Sequence, residues 1–160
     1  MTGAVYLPDG TPAVNAQILL EDPTPMSIEI DGETDSVYFP PHSMRTDDEG
    51  MFVAEGAPLR TLDLHVKALG AAPHSEQFTL QEEGANLTVE LDPEGIVTGI
   101  VTDKAGTHVR GVKVHHAVEY NFDRPSGESD AEGHYRIEGL PTGHVELCLL
   151  YTSPSPRDRY

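Results

Sequence analysis

One pattern occurs twice in this chain. Thr46-Asp47-Asp48-Glu49-Gly50-Met51-Phe52 and Ser129-Asp130-Ala131-Glu132-Gly133-His134-Tyr135 each run hydroxyl, Asp, two further residues, Gly, and an aromatic two places on. Such a stretch suits a tight turn between two strands. The Asp carboxylate can accept from backbone amides ahead of it, and Gly takes the φ > 0 position that ends the turn or makes a bulge. The aromatic then opens the returning strand and points into a core. A repeat of this kind decides the architecture before any other feature is weighed.

The repeat extends beyond the turn. Thr2-Gly3-Ala4-Val5 answers to Thr98-Gly99-Ile100-Val101, and Val14-Asn15-Ala16-Gln17-Ile18 to Arg110-Gly111-Val112-Lys113-Val114, both at an offset of 96 (99 − 3). Downstream, Gly56-Ala57-Pro58 matches Gly139-Leu140-Pro141 and Leu62-Asp63-Leu64 matches Val145-Glu146-Leu147, at an offset of 83 (139 − 56). The first copy therefore carries 13 extra residues (96 − 83) between its second strand and its turn. Within them, Ser27-Ile28-Glu29-Ile30 and Ser36-Val37-Tyr38-Phe39 flank Asp31-Gly32, which predicts a hairpin.

The rest of the chain reads as short strands. Leu62, Leu64, Val66 and Ala68 alternate with Asp63, His65 and Lys67, the cleanest half-buried pattern present. With 15 Gly and 13 Pro and no helical periodicity, the pattern predicts strands joined by turns. The expected core of the first unit is Val5, Ile18, Leu20, Phe52, Leu64, Val66, Leu87 and Val89. That of the second is Ile100, Val112, Val114, Tyr135, Ile137 and Leu147. The fold class expected is all-β, with two tandem transthyretin/immunoglobulin-like β-sandwiches over 1–92 and 93–147. The second is truncated, and is expected to be the less stable, with an exposed edge.

Residues 148–158, Cys-Leu-Leu-Tyr-Thr-Ser-Pro-Ser-Pro-Arg-Asp, resemble the translated adapter of a sequencing library. By the 83 offset the resemblance begins in mid-strand, so 148–160 is set aside as an artefactual tail. It holds the one cysteine, Cys148, so no disulfide framework or redox compartment is implied. The net charge of −17 repels nucleic acid and anionic lipid and favours a soluble monomer. No apolar run approaches the roughly 20 residues of a spanning helix, so no membrane insertion is expected. Met1-Thr2-Gly3 enters the first strand directly, without the basic start and apolar run of a signal peptide.

The Gly-x-Val strand, the Ser-Asp-x-x-Gly-x-Tyr turn and Gly139-Leu140-Pro141-Thr142-Gly143 resemble the carboxypeptidase regulatory-like domain, a transthyretin-like β-sandwich. The second unit resembles it more closely, since Gly56-Ala57-Pro58-Leu59-Arg60 lacks the second Gly. The resemblance implies a non-catalytic spacer, adhesive or docking module of a secreted or envelope protein, hence an extracellular or cell-envelope location.

Sites for chemistry are few. Asp47-Asp48-Glu49 and Asp130 with Glu132 lack the alternating oxygen ligands of a calcium loop, and read as turn formers. A calcium site in Glu29, Asp31, Glu33 and Asp35 is a weaker alternative. His115 and His116, adjacent on a strand, point to opposite faces and cannot easily share an ion, so they read as surface histidines. Phosphate-loop, dinucleotide and nucleophile-elbow motifs are missing from the sequence. Tyr120, Tyr135, His115 and His134 are the residue types of an intradiol dioxygenase iron site but lack its spacing. The 5-hydroxyisourate hydrolases share the fold, but their closing Tyr-Arg-Gly-Ser does not occur. No catalytic residue, cofactor or metal is therefore expected. The candidate binding residues are Tyr38, Phe39, Tyr120 and Phe122, aromatics in equivalent loops that could grip a protein or polysaccharide partner or, as the bland reading, cover the core.

Overall fold

The computed structural model describes residues 1–118 and 122–151, which fall into two compact units, Met1–Pro93 and Glu94–Tyr160. Among the described residues every regular element is a strand, and the chain is all-β.

The first unit comprises β1 (Thr2–Tyr6), β2 (Gln17–Glu21), β3 (Met26–Ile30), β4 (Glu33–Val37), β5 (His42–Arg45), β6 (Met51–Val53), β7 (Thr61–Lys67), β8 (His74–Thr79) and β9 (Asn86–Glu90). One sheet has the order β6-β1-β9, with β9 parallel to β1, and the other β5-β2-β7-β8. Alternation places Val5, Phe52 and Val89 of the first sheet against Ile18, Leu20, Leu64 and Val66 of the second, all buried in one core. Leu87 packs against that core but is only partly buried. The insert is a separate two-stranded sheet, β3-β4, turning at Asp31 (φ +52°) and Gly32 (φ +85°). Two successive positive φ values are what a tight type I′ hairpin requires.

The second unit comprises β10 (Gly95–Ile100), β11 (Val112–His116), β12 (Ser126–Glu128), β13 (His134–Leu140) and β14 (Leu147–Tyr151). Its sheets are β10-β13 and β12-β11-β14, around a small core of Val114, Ile137 and Leu140. Strand β14 pairs with β11 from His116↔Leu147 to Val112↔Tyr151. The boundary drawn at Leu147 thus falls at the start of a strand, because the apolar run Cys148-Leu149-Leu150 continues the pairing that Leu147 begins. Ile100 is corrected as a core residue. It is 51% exposed, while Val101 packs inward. The 96 offset equates Val101 with Val5, and a shift of one residue along a strand moves a side chain to the other face.

The repeated turns are alike bond for bond. Thr46 Oγ1 accepts from Ala16 N (2.8 Å) and donates to Ala13 O, while Ser129 Oγ accepts from Val112 N (3.0 Å) and donates to Val109 O (2.8 Å). Asp47 Oδ1 accepts from the amides of Glu49 (2.9 Å) and Met51 (2.8 Å), and Asp130 Oδ1 from Glu132 (3.0 Å) and His134 (2.8 Å). Gly50 (φ +73°) and Gly133 (φ +78°) close the turns, and a Cβ there would lie 2.7 Å from Val5 O and 2.6 Å from Val101 O. Beyond each turn an aromatic lies across a strand glycine. Gly3 pairs with Phe52 and Gly99 with Tyr135, and an added Cβ would meet the rings at 2.4 and 2.7 Å.

Thr46 and Ser129 are both buried. Replacing either hydroxyl strands a buried amide and a buried carbonyl, at about 1–3 kcal/mol for each unsatisfied group. Thr46→Val and Ser129→Ala should each lower the melting midpoint of their own unit, as read from amide signals on heating. An unchanged midpoint in either variant would contradict this assignment.

Candidate functional site

Of the four loop aromatics, three fall on described residues. Tyr120 lies outside them. Tyr38 follows β4 directly and is 64% exposed. Phe39 is half-buried, and the Arg60 guanidinium sits 5.0 Å above its ring centroid. Phe122, also half-buried, stands in the second unit 83 positions after Phe39, the repeat offset.

The Arg60 stack has an anchor that the sequence reading missed. Asp22, just past the end of β2, is buried; its Oδ1 accepts from Thr24 N (2.9 Å) and its Oδ2 lies 3.1 Å from an Arg60 terminal nitrogen. A buried carboxylate needs such a partner, because an unpaired charge out of water is costly. The pair fixes Arg60, and Arg60 covers one face of Phe39, a cation–π contact worth about 0.5–1 kcal/mol near the surface. Phe39 therefore supports the base of the insert, and Tyr38 is the ring left to solvent. The Asp22-x-Thr24 spacing was a legible signal for the turn, but nothing in the sequence linked Asp22 to Arg60.

Strands β3 and β4 carry three exposed large apolar side chains. In their register Met26 pairs with Val37, Ile28 with Asp35 and Ile30 with Glu33, so these six share one face. Met26 is 41%, Ile30 54% and Val37 40% exposed. The opposite face holds Ser27, Glu29, Thr34 and Ser36. The hairpin thus presents an aliphatic stripe with two carboxylates on it, next to Tyr38.

The histidine pair differs from expectation. His115 and His116 are 7% and 4% exposed, not surface residues. The reason is the repeat: the 96 offset puts them at the places of Leu19 and Leu20, which are buried in the first unit. Burial holds the His116 pKa below its ordinary 6.5, and the Arg124 charge lowers it further. Tyr135 and His134 stand on β13 and His115 on β11, in different sheets. Among the described residues no three His, Cys, Asp or Glu side chains are grouped to hold a metal ion. No helix there is long and apolar enough to cross a membrane.

No protein-family model matches the chain, and no curated protein does. Two solved structures are similar in outline. The minor pilin GBS52 of the Gram-positive pathogen Streptococcus agalactiae is 12% identical, with a TM-score of 0.41 over 97% of this chain and 84% of that one. A streptococcal ancillary pilin is 16% identical, with a TM-score of 0.38 over 96% of this chain; the chain spans 59% of that structure's length. Likeness at this level carries no argument about function.

His116 gives a pH test. Between its lowered folded-state value and 6.5, the unfolded chain holds a proton that the folded chain does not. Stability of the second unit therefore falls as pH drops through about 6.5. His116→Leu, which installs the residue found at position 20, should remove this share of the pH dependence. An identical pH profile in the variant and the native chain would refute it.

Proposed function

We propose that this chain is a non-catalytic interaction module, and that the β3–β4 hairpin with Tyr38 grips a protein partner. The observation that carries the reading is the stripe of Met26, Ile30 and Val37, exposed, with the half-buried Ile28 between them. Contiguous apolar surface on an acidic, soluble chain costs solubility unless a partner covers it. Glu33 and Asp35 on the same face define that partner's chemistry: apolar side chains interspersed with Lys or Arg. A second copy fits poorly, since each brings a net charge of −17.

The turn residues' resemblance to the carboxypeptidase regulatory-like domain supports the wider reading, a docking or spacer module of a larger exported bacterial protein acting in the extracellular space or cell envelope. The reading leaves residues 148–158, which resemble adapter sequence, outside the working surface. Sugar binding is the second reading, favoured by the exposure of Tyr38. A sugar platform at this loop would have one open ring, because Arg60 covers Phe39.

A synthetic extended peptide of alternating Leu and Lys is the probe. It should bind saturably, and replacing Ile28 and Ile30 with Ser should weaken it by about tenfold or more, the effect of losing roughly 1.5 kcal/mol of apolar burial. Equal binding by the variant would overturn the docking surface. Glycan-array binding lost in Tyr38→Ala but kept in the Ile28/Ile30 variant would move the assignment to sugars.

A further inference from the structure

Two Asp-Gly dipeptides occur in the sequence, Asp9-Gly10 and Asp31-Gly32, and both are exposed in turns with the glycine at positive φ. In such a dipeptide the amide nitrogen of the second residue can attack the side-chain carboxyl carbon of the first, and glycine has no Cβ to obstruct the approach. The two turns hold these reacting groups differently. At Asp9-Gly10 the Gly10 amide donates to Leu7 O (2.8 Å), and Asp9 Oδ1 accepts from Thr11 Oγ1 (2.6 Å) and Thr11 N (2.9 Å). Those bonds, the hydroxyl's first, favour the ionised carboxylate and lower the Asp9 pKa. At Asp31-Gly32 neither the Gly32 amide nor the Asp31 carboxylate has a hydrogen-bond partner among the described residues.

The strands beside the two turns differ as well. Asp9-Gly10 lies between β1 and β2, which are both anchored in the first core, and a bond from Leu7 N to Thr11 O (2.8 Å) closes its loop. Asp31-Gly32 joins β3 to β4, a pair to which no third described strand is bonded. All residues of these two strands are exposed except the half-buried Ile28. A two-stranded hairpin standing alone is marginally stable in water. Its tip therefore opens locally, and the Asp31 carboxyl can swing over the Gly32 nitrogen.

We propose that Asp31-Gly32 is a site of spontaneous backbone modification, at which Asp31 converts to isoaspartate through a cyclic imide, and that the conversion switches the β3–β4 hairpin off. The Gly32 nitrogen bonds to the Asp31 side-chain carbonyl carbon as that carbon's bond to its hydroxyl breaks. The hydroxyl leaves as water with the Gly32 amide proton. Water then adds back to one of the two imide carbonyls. Opening at the side-chain carbonyl restores Asp31; opening at the main-chain carbonyl routes the backbone through the side chain, as isoaspartate. Water is the only co-reactant. The isomer lengthens, by a methylene, a two-residue turn whose geometry sets the register of both strands. Ile30 then loses its place opposite Glu33, and Met26, Ile28 and Val37 lose their common face. The modification stands on turn chemistry alone, while its effect on binding rests on the docking surface proposed above.

The test is to age the full chain in warm, mildly acidic buffer and digest it with an endoproteinase that cuts before Asp but not before isoaspartate. Cleavage before residue 31 should be lost progressively, while cleavage before Asp9 persists. Gly32→Asn, a residue that tolerates positive φ but adds a Cβ, should keep the cleavage at 31. In the converted fraction, the cross-strand NMR signals between Ile28 and Asp35 should vanish while those between β1 and β6 remain. Persistent cleavage at 31, equal loss at 9 and 31, or undiminished loss in Gly32→Asn would overturn the site. Intact Ile28–Asp35 signals in the converted fraction would overturn the switch. The alternating Leu/Lys peptide separates this proposal from the docking surface. A fresh chain that binds it should lose that binding on conversion, and retained binding would count against the switch. A fresh chain that does not bind it would sink the docking surface alone, with conversion at 31 still upholding the modification.

Discussion

A buried side-chain hydroxyl, Thr46 in one unit and Ser129 in the other, organises everything around it. Each hydroxyl accepts from the amide that opens the second strand and donates to a carbonyl three residues earlier, which ties the turn to the start of β2 or β11. Buried amides and carbonyls must find partners, and here one hydroxyl serves both. With that link made, the neighbouring Asp folds the turn by accepting two amides, and the glycine admits a backbone approach too close for any Cβ. The chain then returns as β6 or β13 with its aromatic over Gly3 or Gly99. Fold and sheet register both follow from this sequence of constraints.

Identical turns do not make identical units. The first unit closes a core of twelve buried residues between its two main sheets, while the cluster of the second has three among the described residues. Burial of apolar surface is the principal stabilising term, so the turn sets the geometry and the core sets the stability. The first unit also carries the hairpin insert, held at its base by Asp22, Arg60 and Phe39. The insert lengthens the link between β2 and β5 without disturbing the turn, as expected when a loop absorbs extra residues at the edge of a sheet.

Much of this was legible in the sequence because turn chemistry is local. The two offsets and the Asp-Gly hairpin could be read from residue types, and strict alternation identified β7. Two edge strands could not be. His42–Arg45 and Ser126–Glu128 show no apolar alternation, and they pair at places related by the 83 offset, Ser43 opposite Leu19 and Ser126 opposite His115. Edge strands are held mainly by backbone bonds to a neighbour, which leave little trace in side-chain type. The misplacement of Ile100 and the histidine pair has another cause. Residue type does not separate Ile100 from Val101, and it makes two histidines look exposed; the repeat settles both, since it puts Val101 with Val5 and His116 with Leu20. The candidate site was legible only in part: Tyr38 is exposed as its loop position suggested, but the cation over Phe39 arises from a contact between residues 21 positions apart (60 − 39).

Amide hydrogen exchange of Ala16 and Val112 in the intact chain tests the account most directly, because these two amides donate to the two organising hydroxyls. Both should be strongly protected, each to the level of its own unit's global opening, with Ala16 the slower of the two. Exchange at Val112 as fast as in an unstructured peptide, beside a protected Ala16, would contradict the claim that one turn holds both halves.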